Sequence, residues 1–363
     1  MLKRLLITAG GTGGHIYPAL AVAEALLARH PDVTLAFVGS VDGFERPLIA
    51  KGGVTFASYD EVQSGPLHGI APLQALVSVG KLALGTLQAL GILRRRRPQV
   101  ILATGGWCSF PIALAAWVLR IPLVIYLPDI EPGLTIKALR PFAAKVCVTA
   151  AESAPYFRAG QMVVTGYPLR QQMLNATRAA GIAHFTLDPA RKTLLVFGGS
   201  RGARSLNTAV YDQLPALLQT AQVLHVTGDL DWERAAAIQA TPGYHPYAYL
   251  HDAMGLAFAA ADVVVCRSGA STLGELPYFG LASILVPYPY AWRYQKVNAD
   301  YLTERGAALT LADELLADAL LPKIQLLLDD PARLAQMQTQ ARVLARPDAA
   351  WQIAQTLITT GKA

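Results

Sequence analysis

Leu5-Leu6-Ile7-Thr8-Ala9-Gly10-Gly11-Thr12-Gly13-Gly14-His15 is a short apolar run that breaks into glycines and closes on a histidine. The run reads as the first strand of a parallel α/β sheet, and a helix is expected from about Pro18 to Ala28. Glycines at a strand end allow a tight turn and let backbone N–H groups approach an anion, and the following helix adds its positive end. The same grammar returns halfway along the chain. Thr193-Leu194-Leu195-Val196-Phe197 runs into Gly198-Gly199-Ser200-Arg201-Gly202-Ala203-Arg204, again a strand, two glycines, a hydroxyl residue, a glycine and a helix start. Strand-like runs at Thr34–Val38, Val100–Ala103, Leu123–Tyr126 and Lys145–Thr149 follow the first loop. Runs at Val223–Val226, Tyr247–Tyr249, Val263–Cys266 and Ser283–Val286 follow the second. Strands alternating with helices throughout predict two doubly wound, Rossmann-like halves. The linker is expected in the polar stretch Gly166–Asp188.

Composition agrees with this organisation. The chain has 363 residues, of which 53% are hydrophobic and 15% charged, which suits two domains with large buried sheets and excludes a disordered chain. The net charge of +6 favours anionic partners. No zinc-finger spacing or aromatic–basic signature turns that charge into a nucleic-acid reading. Cys108, Cys147 and Cys266 lie far apart, with no C-x-x-C among them. Cys147 and Cys266 fall in apolar runs, where a buried, inert thiol is expected, as suits a reducing cytosol. The N-terminal apolar run is too short for a signal peptide and meets glycine at once. The stretch Gly69–Leu93, followed by Arg94-Arg95-Arg96-Arg97, is long enough to span a membrane. However, Gln74, Ser78, Lys81, Gly85 and Gln88 form one polar or small-residue stripe, so an amphipathic helix with a wide apolar face is expected. Either that face packs on the sheet, or part of it touches an anionic membrane surface together with the arginines.

Parallel sheets bind ligands at the carboxyl ends of their strands, and three turns there are candidates for phosphate: Gly10–Gly14, Gly198–Ala203 and Ser268-Gly269-Ala270-Ser271-Thr272. None is a dinucleotide fingerprint, because the third glycine would fall at Ile16, and no Gly-Lys-Ser/Thr marks a Walker loop. His15, at a helix start, is a candidate to accept a proton from an attacking hydroxyl, because an unperturbed imidazole titrates near neutral pH. Glu275, in the first turns after Ser268-Gly269, can accept bonds from vicinal ribose hydroxyls, or simply be a favourable charge near a helix N-terminus. Among Arg170, Arg201, Arg204 and Arg267, one or two are expected to face a diphosphate. Asp229-Leu230-Asp231 has the D-x-D spacing of a metal-binding loop, but lies in an expected surface turn.

Several segments, in order, resemble the MurG family of peptidoglycan N-acetylglucosaminyltransferases, which has the GT-B fold. They are Gly10–Ala21, Thr104-Gly105-Gly106-Trp107, Gly166-Tyr167-Pro168-Leu169-Arg170, Gly198–Ala203, Cys266–Glu275 and Gln295-Lys296-Val297-Asn298-Ala299. The resemblance implies an N-terminal acceptor and membrane-side domain over 1–165, a UDP-sugar-binding domain over 166–340, and a C-terminal helix, 341–363, returning to the first. It implies inverting transfer of N-acetylglucosamine from UDP-GlcNAc to the 4-hydroxyl of undecaprenyl-diphospho-N-acetylmuramoyl-peptide, converting lipid I to lipid II, on the cytoplasmic face of the membrane. No cofactor or metal is implied. By the same resemblance His15 is the candidate base, and Gly13, Gly14, Gly105 and Gly106 line the acceptor and phosphate loops. Thr12 lies where acceptor meets donor, Arg170 and Ser200 face the diphosphate, and Ala270, Ser271 and Thr272 make the nucleotide-phosphate turn. Leu250 lies beside uracil, Glu275 on the ribose, and Asp129 and Gln295 near the donor sugar. The chain departs from the family where Tyr126-Leu127-Pro128-Asp129 stands for His-Glu-Gln-Asn, and where Tyr294-Gln295 stands for paired glutamines. The alternatives are a UDP-sugar transferase with another lipid acceptor such as diacylglycerol, a UDP-GlcNAc 2-epimerase, and a non-catalytic nucleotide-sugar-binding scaffold.

Overall fold

The computed structural model describes residues 2–11, 13–43, 45–66, 71–199, 202–290 and 294–362. The chain divides into two compact units, 1–171 with 347–363, and 172–346. In the first unit β1 (Arg4–Ala9), β2 (Thr34–Ser40), β3 (Ser58–Val62), β4 (Val100–Gly105), β5 (Leu123–Leu127), β6 (Lys145–Val148) and β7 (Met162–Val164) form a parallel sheet. Its order is β3-β2-β1-β4-β5-β6-β7. In the second unit β8 (Thr193–Phe197), β9 (Gln222–Val226), β10 (Tyr244–Tyr247), β11 (Val263–Cys266), β12 (Ala282–Leu285) and β13 (Ala308–Thr310) form another parallel sheet, in the order β10-β9-β8-β11-β12-β13. Central strands are covered on both faces, which is why they read as continuous apolar runs: Ile101, Leu102, Leu194, Leu195, Val264 and Val265 are all fully buried.

The division falls six residues beyond each boundary expected from the sequence, at 171/172 rather than 165/166 and at 346/347 rather than 340/341. The cause is packing. Tyr167 is buried edge-on to Tyr126, and the Gln171 amide donates to Glu24 Oε2 at 3.0 Å, which ties 166–171 to the first unit. At the other end Leu334, Met337 and Ala341 of the helix Pro331–Val343 are buried within the second unit. The chain leaves it only at Pro347. The final helix, Ala349–Thr360, then packs against the helix Gly13–Leu27 of the first unit. Ile353, Ala354 and Leu357 are fully buried there, and the Arg29 guanidinium lies 4.0 Å over the Trp351 ring. Where a strand was expected at Tyr247–Tyr249, the strand is Tyr244–Tyr247, so Leu250 sits in the loop just beyond its carboxyl end.

The helix Pro72–Arg96 divides its apolar residues: Leu82, Ala89, Ile92 and Leu93 are buried against the first unit, and other large side chains are left exposed. Of the small and polar stripe, Ser78, Gly85 and Gln88 turn inward, whereas Gln74 and Lys81 are exposed. Ser78 and Gly85 are buried, and Gln88 Oε1 accepts the Gln63 amide at 2.8 Å. A Cβ on Gly85 would collide with the Gln63 carbonyl oxygen. Small residues allow this close approach, and five large apolar side chains are left outside: Leu76 is 69% and Leu87 67% exposed, with Val77, Val79 and Leu84 also exposed. The arginine run is partly committed, because Arg95 and Arg96 both bond Asp60 on β3, at 2.7 and 2.9 Å. Two glycine substitutions in this helix should have opposite signs. Gly85→Val should destabilise by about 1–3 kcal/mol through overpacking. Gly80→Ala, where no described atom lies within 4 Å of the new Cβ, should stabilise by about 0.5–1 kcal/mol through helix propensity. Urea midpoints measure both; equal effects of either sign would contradict this packing.

Candidate active site

Each sheet reverses its direction of winding at one pair of adjacent strands, β1/β4 in the first unit and β8/β11 in the second. The loops leaving such a pair diverge to opposite faces and open a crevice at the carboxyl ends. All the glycine loops singled out from the sequence leave from these four strands.

In the first unit the two loops are pressed together. The Gly10 amide donates to the Gly105 carbonyl at 3.1 Å. A Cβ on Gly106 would lie 2.6 Å from the Gly10 backbone, and one on Gly105 would lie 2.7 Å from the His15 ring. Both glycines have positive φ, +131° and +85°. The ring of His15, in the first turn of its helix, is thus seated on bare backbone. Its Nδ1 lies 2.8 Å from the Gly10 carbonyl oxygen, and Thr104 Oγ1 donates to the His15 carbonyl at 2.7 Å. A carbonyl only accepts, so Nδ1 carries the proton and, in the neutral ring, Nε2 carries the free lone pair. Burial lowers the His15 pKa, against the Gly10 carbonyl and the Asp129 charge, which raise it, so the ring is neutral at pH 7. Gly13 and Gly14 open the helix, where first-turn N–H groups lack intrahelical partners. Two residues on from His15, the Tyr17 ring lies 4.8 Å beneath the Arg170 guanidinium, which places Arg170 beside this helix. Asp129 follows β5 on a pinned segment: Thr149 Oγ1 donates to the Pro128 carbonyl at 2.8 Å, Tyr126 Oη donates to Thr149 Oγ1 at 3.0 Å, and Ser153 Oγ donates to the Ile130 carbonyl at 2.7 Å. Thr12 lies outside the described residues.

In the second unit the helices Arg204–Thr220 and Thr272–Phe279 begin at the crevice. Ser200 and Arg201 lie outside the described residues. Ala270 and Ser271 precede the second helix and are partly exposed, whereas Thr272 is buried and donates its hydroxyl back to the Gly269 carbonyl at 2.6 Å. Ser268 Oγ donates to the Gln295 carbonyl at 2.8 Å, and Gln295 Oε1 accepts the Tyr288 amide at 2.9 Å, so the free face of that amide is its NH₂ donor. Glu275 is partly buried in the first turn of its helix, near enough to Cys266 for its charge to add to burial in raising that thiol's pKa. Leu250 is buried. Arg267 is buried in an ion pair with Asp313 and bonds Ser205 Oγ and the Val286 carbonyl. Asp231 of the D-x-D match accepts from Asn207 Nδ2 at 2.8 Å and Arg204 Nε at 3.3 Å. Among the described residues no group of three or more His, Cys, Asp and Glu is placed to hold a metal ion.

The sequence reading passed over one class of residue. The apolar strand runs end in threonine at Thr8, Thr104, Thr149 and Thr227, all buried. Thr104, Thr149 and Thr227 bond loop carbonyls, while Thr8 Oγ1 meets the Cys108 thiol and the Ser109 hydroxyl. A hydroxyl closing each hydrophobic run was the available signal for what holds the loops.

Two Rossmann-type units, each with glycine turns at its switch point, define a protein of the GT-B class. Residues 5–148 match the glycosyltransferase family 28 N-terminal domain, and residues 193–353 match its C-terminal domain. A relative from Roseiflexus sp. (strain RS-1), described as UDP-N-acetylglucosamine–N-acetylmuramyl-(pentapeptide) pyrophosphoryl-undecaprenol N-acetylglucosamine transferase, is 39% identical over 97% of this chain and 93% of its own. The crystal structure of Acinetobacter baumannii MurG superposes with a TM-score of 0.76 at 25% identity, covering 98% of this chain and 99% of that one. A UDP-GlcNAc 2-epimerase from Neisseria meningitidis superposes with a TM-score of 0.70 at 13% identity, over 98% of this chain and 100% of its own, and shares the fold alone. The chain belongs to the MurG family of UDP-N-acetylglucosamine-dependent N-acetylglucosaminyltransferases, within glycosyltransferase family 28.

The second-unit turn can be probed directly. No described atom lies within 4 Å of a Cβ built on Gly269, and its φ is not positive. Gly269→Ala should therefore leave the thermal midpoint unchanged and raise KM for UDP-GlcNAc about tenfold, if backbone there approaches the diphosphate. An unchanged KM would remove this turn from the donor site.

Proposed function

We propose that this chain carries out its family's reaction, with His15 as base: N-acetylglucosamine moves from UDP-GlcNAc, with inversion, to the 4-hydroxyl of undecaprenyl-diphospho-N-acetylmuramoyl-peptide, giving lipid II. The observation that carries the residue assignment is the tautomer of His15. With Nδ1 committed to Gly10, a neutral ring offers Nε2 to the acceptor hydroxyl. As the acceptor oxygen bonds to the sugar C1, its proton passes to Nε2, and the C1–O bond to UDP breaks with its electron pair on the diphosphate. The leaving diphosphate meets the amides of Ala270, Ser271 and Thr272 at a helix N-terminus, with Ser200 and Arg170 as further donors, and these stabilise its charge without a metal. Gly13, Gly14, Gly105 and Gly106 border the acceptor, and Thr12 is assigned to substrate contact by the family resemblance alone. Leu250 packs on uracil, Glu275 accepts from the ribose, and Gln295 donates its NH₂ to the sugar.

The test is an incubation with UDP-GlcNAc and lipid I, with products weighed by mass spectrometry. Lipid II should form at the same rate in EDTA. His15→Ala should lose about 10²–10⁴ in kcat while retaining UDP binding. A glycosylated diacylglycerol, or UDP-ManNAc made without acceptor, would replace this reading of the substrate; loss of UDP binding with turnover intact at saturation would remove His15 as base.

The acceptor's lipid chain implies work at a membrane, and the enzyme is proposed to lie peripherally on its cytoplasmic face. Support comes from the exposed stripe Leu76, Val77, Val79, Leu84 and Leu87, with Lys81 and Arg94 also exposed on that helix. Trp117 and Val118, at the end of the neighbouring helix Ser109–Val118, are exposed as well. Sedimentation with phosphatidylglycerol vesicles should retain the wild type and release a Leu76→Asp/Leu87→Asp variant, with binding weakened by salt. Equal retention of the two would place the membrane contact elsewhere.

A further inference from the structure

We propose that His225 is a positioning residue for the donor's diphosphate, acting through Asn207 on the turn that ends at Gly202 and Ala203. Three polar side chains are buried together in the second unit: His225 on β9, Tyr244 on β10, and Asn207 near the start of the helix Arg204–Thr220. Their hydrogen bonds fix where the protons lie. Asn207 Nδ2 is 2.8 Å from the Thr227 carbonyl and 2.8 Å from Asp231 Oδ2. A carbonyl only accepts, so that end of the amide is its NH₂. The other end, Oδ1, accepts from His225 Nε2 at 3.0 Å. Burial pushes the His225 pKa down to about 3, against the Asp231 charge, which raises it. The ring is therefore neutral, and its Nδ1 accepts from Tyr244 Oη at 3.0 Å. Donation runs one way, from Tyr244 through His225 and Asn207 to the Thr227 carbonyl. That carbonyl is also the floor of the glycine turn. A Cβ on Gly202, whose φ is +75°, would collide with the Thr227 oxygen, and the Gly202 amide donates to the Gly199 carbonyl at 3.0 Å. The helix start is held separately, since Ser205 Oγ accepts from Arg267 Nη2 at 2.8 Å and donates to Asp313 Oδ1 at 2.9 Å. What His225 adds is the placement of the Thr227 carbonyl, and with it of the Gly202 backbone. A fully paired polar set holds one geometry, whereas apolar residues of the same volume often stabilise a core as well or better. Such a set, ending one carbonyl from a glycine turn, points to ligand positioning.

This role rests on the reading above in which Ser200 and its turn face the diphosphate, so the experiment measures turn and ligand separately. UDP and uridine binding are measured by calorimetry in the wild type, His225→Phe and His225→Gln, alongside hydrogen exchange of the 198–203 amides. His225→Phe, which fills the space of the ring without donating, should speed exchange in 198–203 and weaken UDP about tenfold, with uridine unchanged. KM for UDP-GlcNAc should rise by the same factor, with kcat at saturation unchanged. In His225→Gln the side-chain Nε2 stands where the ring's Nε2–H stood, and most of the UDP affinity should return. Where His225→Phe does not fold, Tyr244→Phe, which removes only the first hydroxyl of the chain, should weaken UDP about threefold. Unmoved exchange in 198–203, uridine weakened as much as UDP, or a Gln variant no better than the Phe variant overturns the proposal and leaves His225 a core residue. Faster exchange with UDP affinity unmoved overturns it differently, by taking that turn out of the diphosphate site.

Discussion

The contact between Gly10 and the Gly105–Gly106 turn sets the geometry of the first unit's working end. Two backbone segments from adjacent strands meet with no side chain between them, joined by the Gly10 amide and the Gly105 carbonyl. That closeness lets an imidazole lie on backbone and directs its Nδ1 to Gly10, which selects the tautomer with a free Nε2. A side chain at Gly106 would part the loops, and one at Gly105 would displace the ring. The chemical state of His15 thus follows from sterics two strands wide.

The second unit repeats the strand order but uses its glycines differently. Gly198 turns against Ala203, and Gly202 against the Thr227 carbonyl, so those two serve packing. Gly199 and Gly269 have no described atom near the position of a Cβ. The first crevice therefore employs glycine to seat the His15 ring, and the second keeps backbone accessible at a helix N-terminus. This difference agrees with an acceptor and base in one unit and a nucleotide diphosphate in the other.

Much of this was legible in the sequence, because the informative features are local. An apolar run meeting glycines needs no tertiary contact to be recognised, and both pairs of switch-point loops were found that way. What was missed depends on distant partners. Edge strands β3, β7 and β13 are short, and each carries residues that are not buried, so they lack the apolar runs of the centre. Arg267 looked like a free cation until Asp313, 46 residues on, was placed beside it. Gln295 was expected near the donor sugar, and the contact of its oxygen with the Tyr288 amide could not be read from the sequence. The helix Pro72–Arg96 was legible as amphipathic, yet its periodicity alone did not say which face turns inward.

Along that helix the usual rule of apolar side inward holds for Leu82, Ile92 and Leu93 but does not decide the packing around Gly85. Burial of large side chains gains by area, but close approach of a helix to a neighbouring chain segment requires small ones. Here Gly85 abuts the Gln63 carbonyl and Gln88 satisfies the Gln63 amide, so the inward stripe is selected by the polar backbone it must meet. A backbone amide buried without a partner costs about 1–3 kcal/mol, comparable with burying one leucine. The leucines and valines left outside are then a surface that water solvates poorly, running along a helix that begins at the sheet end carrying His15. The same packing constraint that places Gln88 inward thus leaves an apolar strip outward, the surface proposed above to meet a membrane.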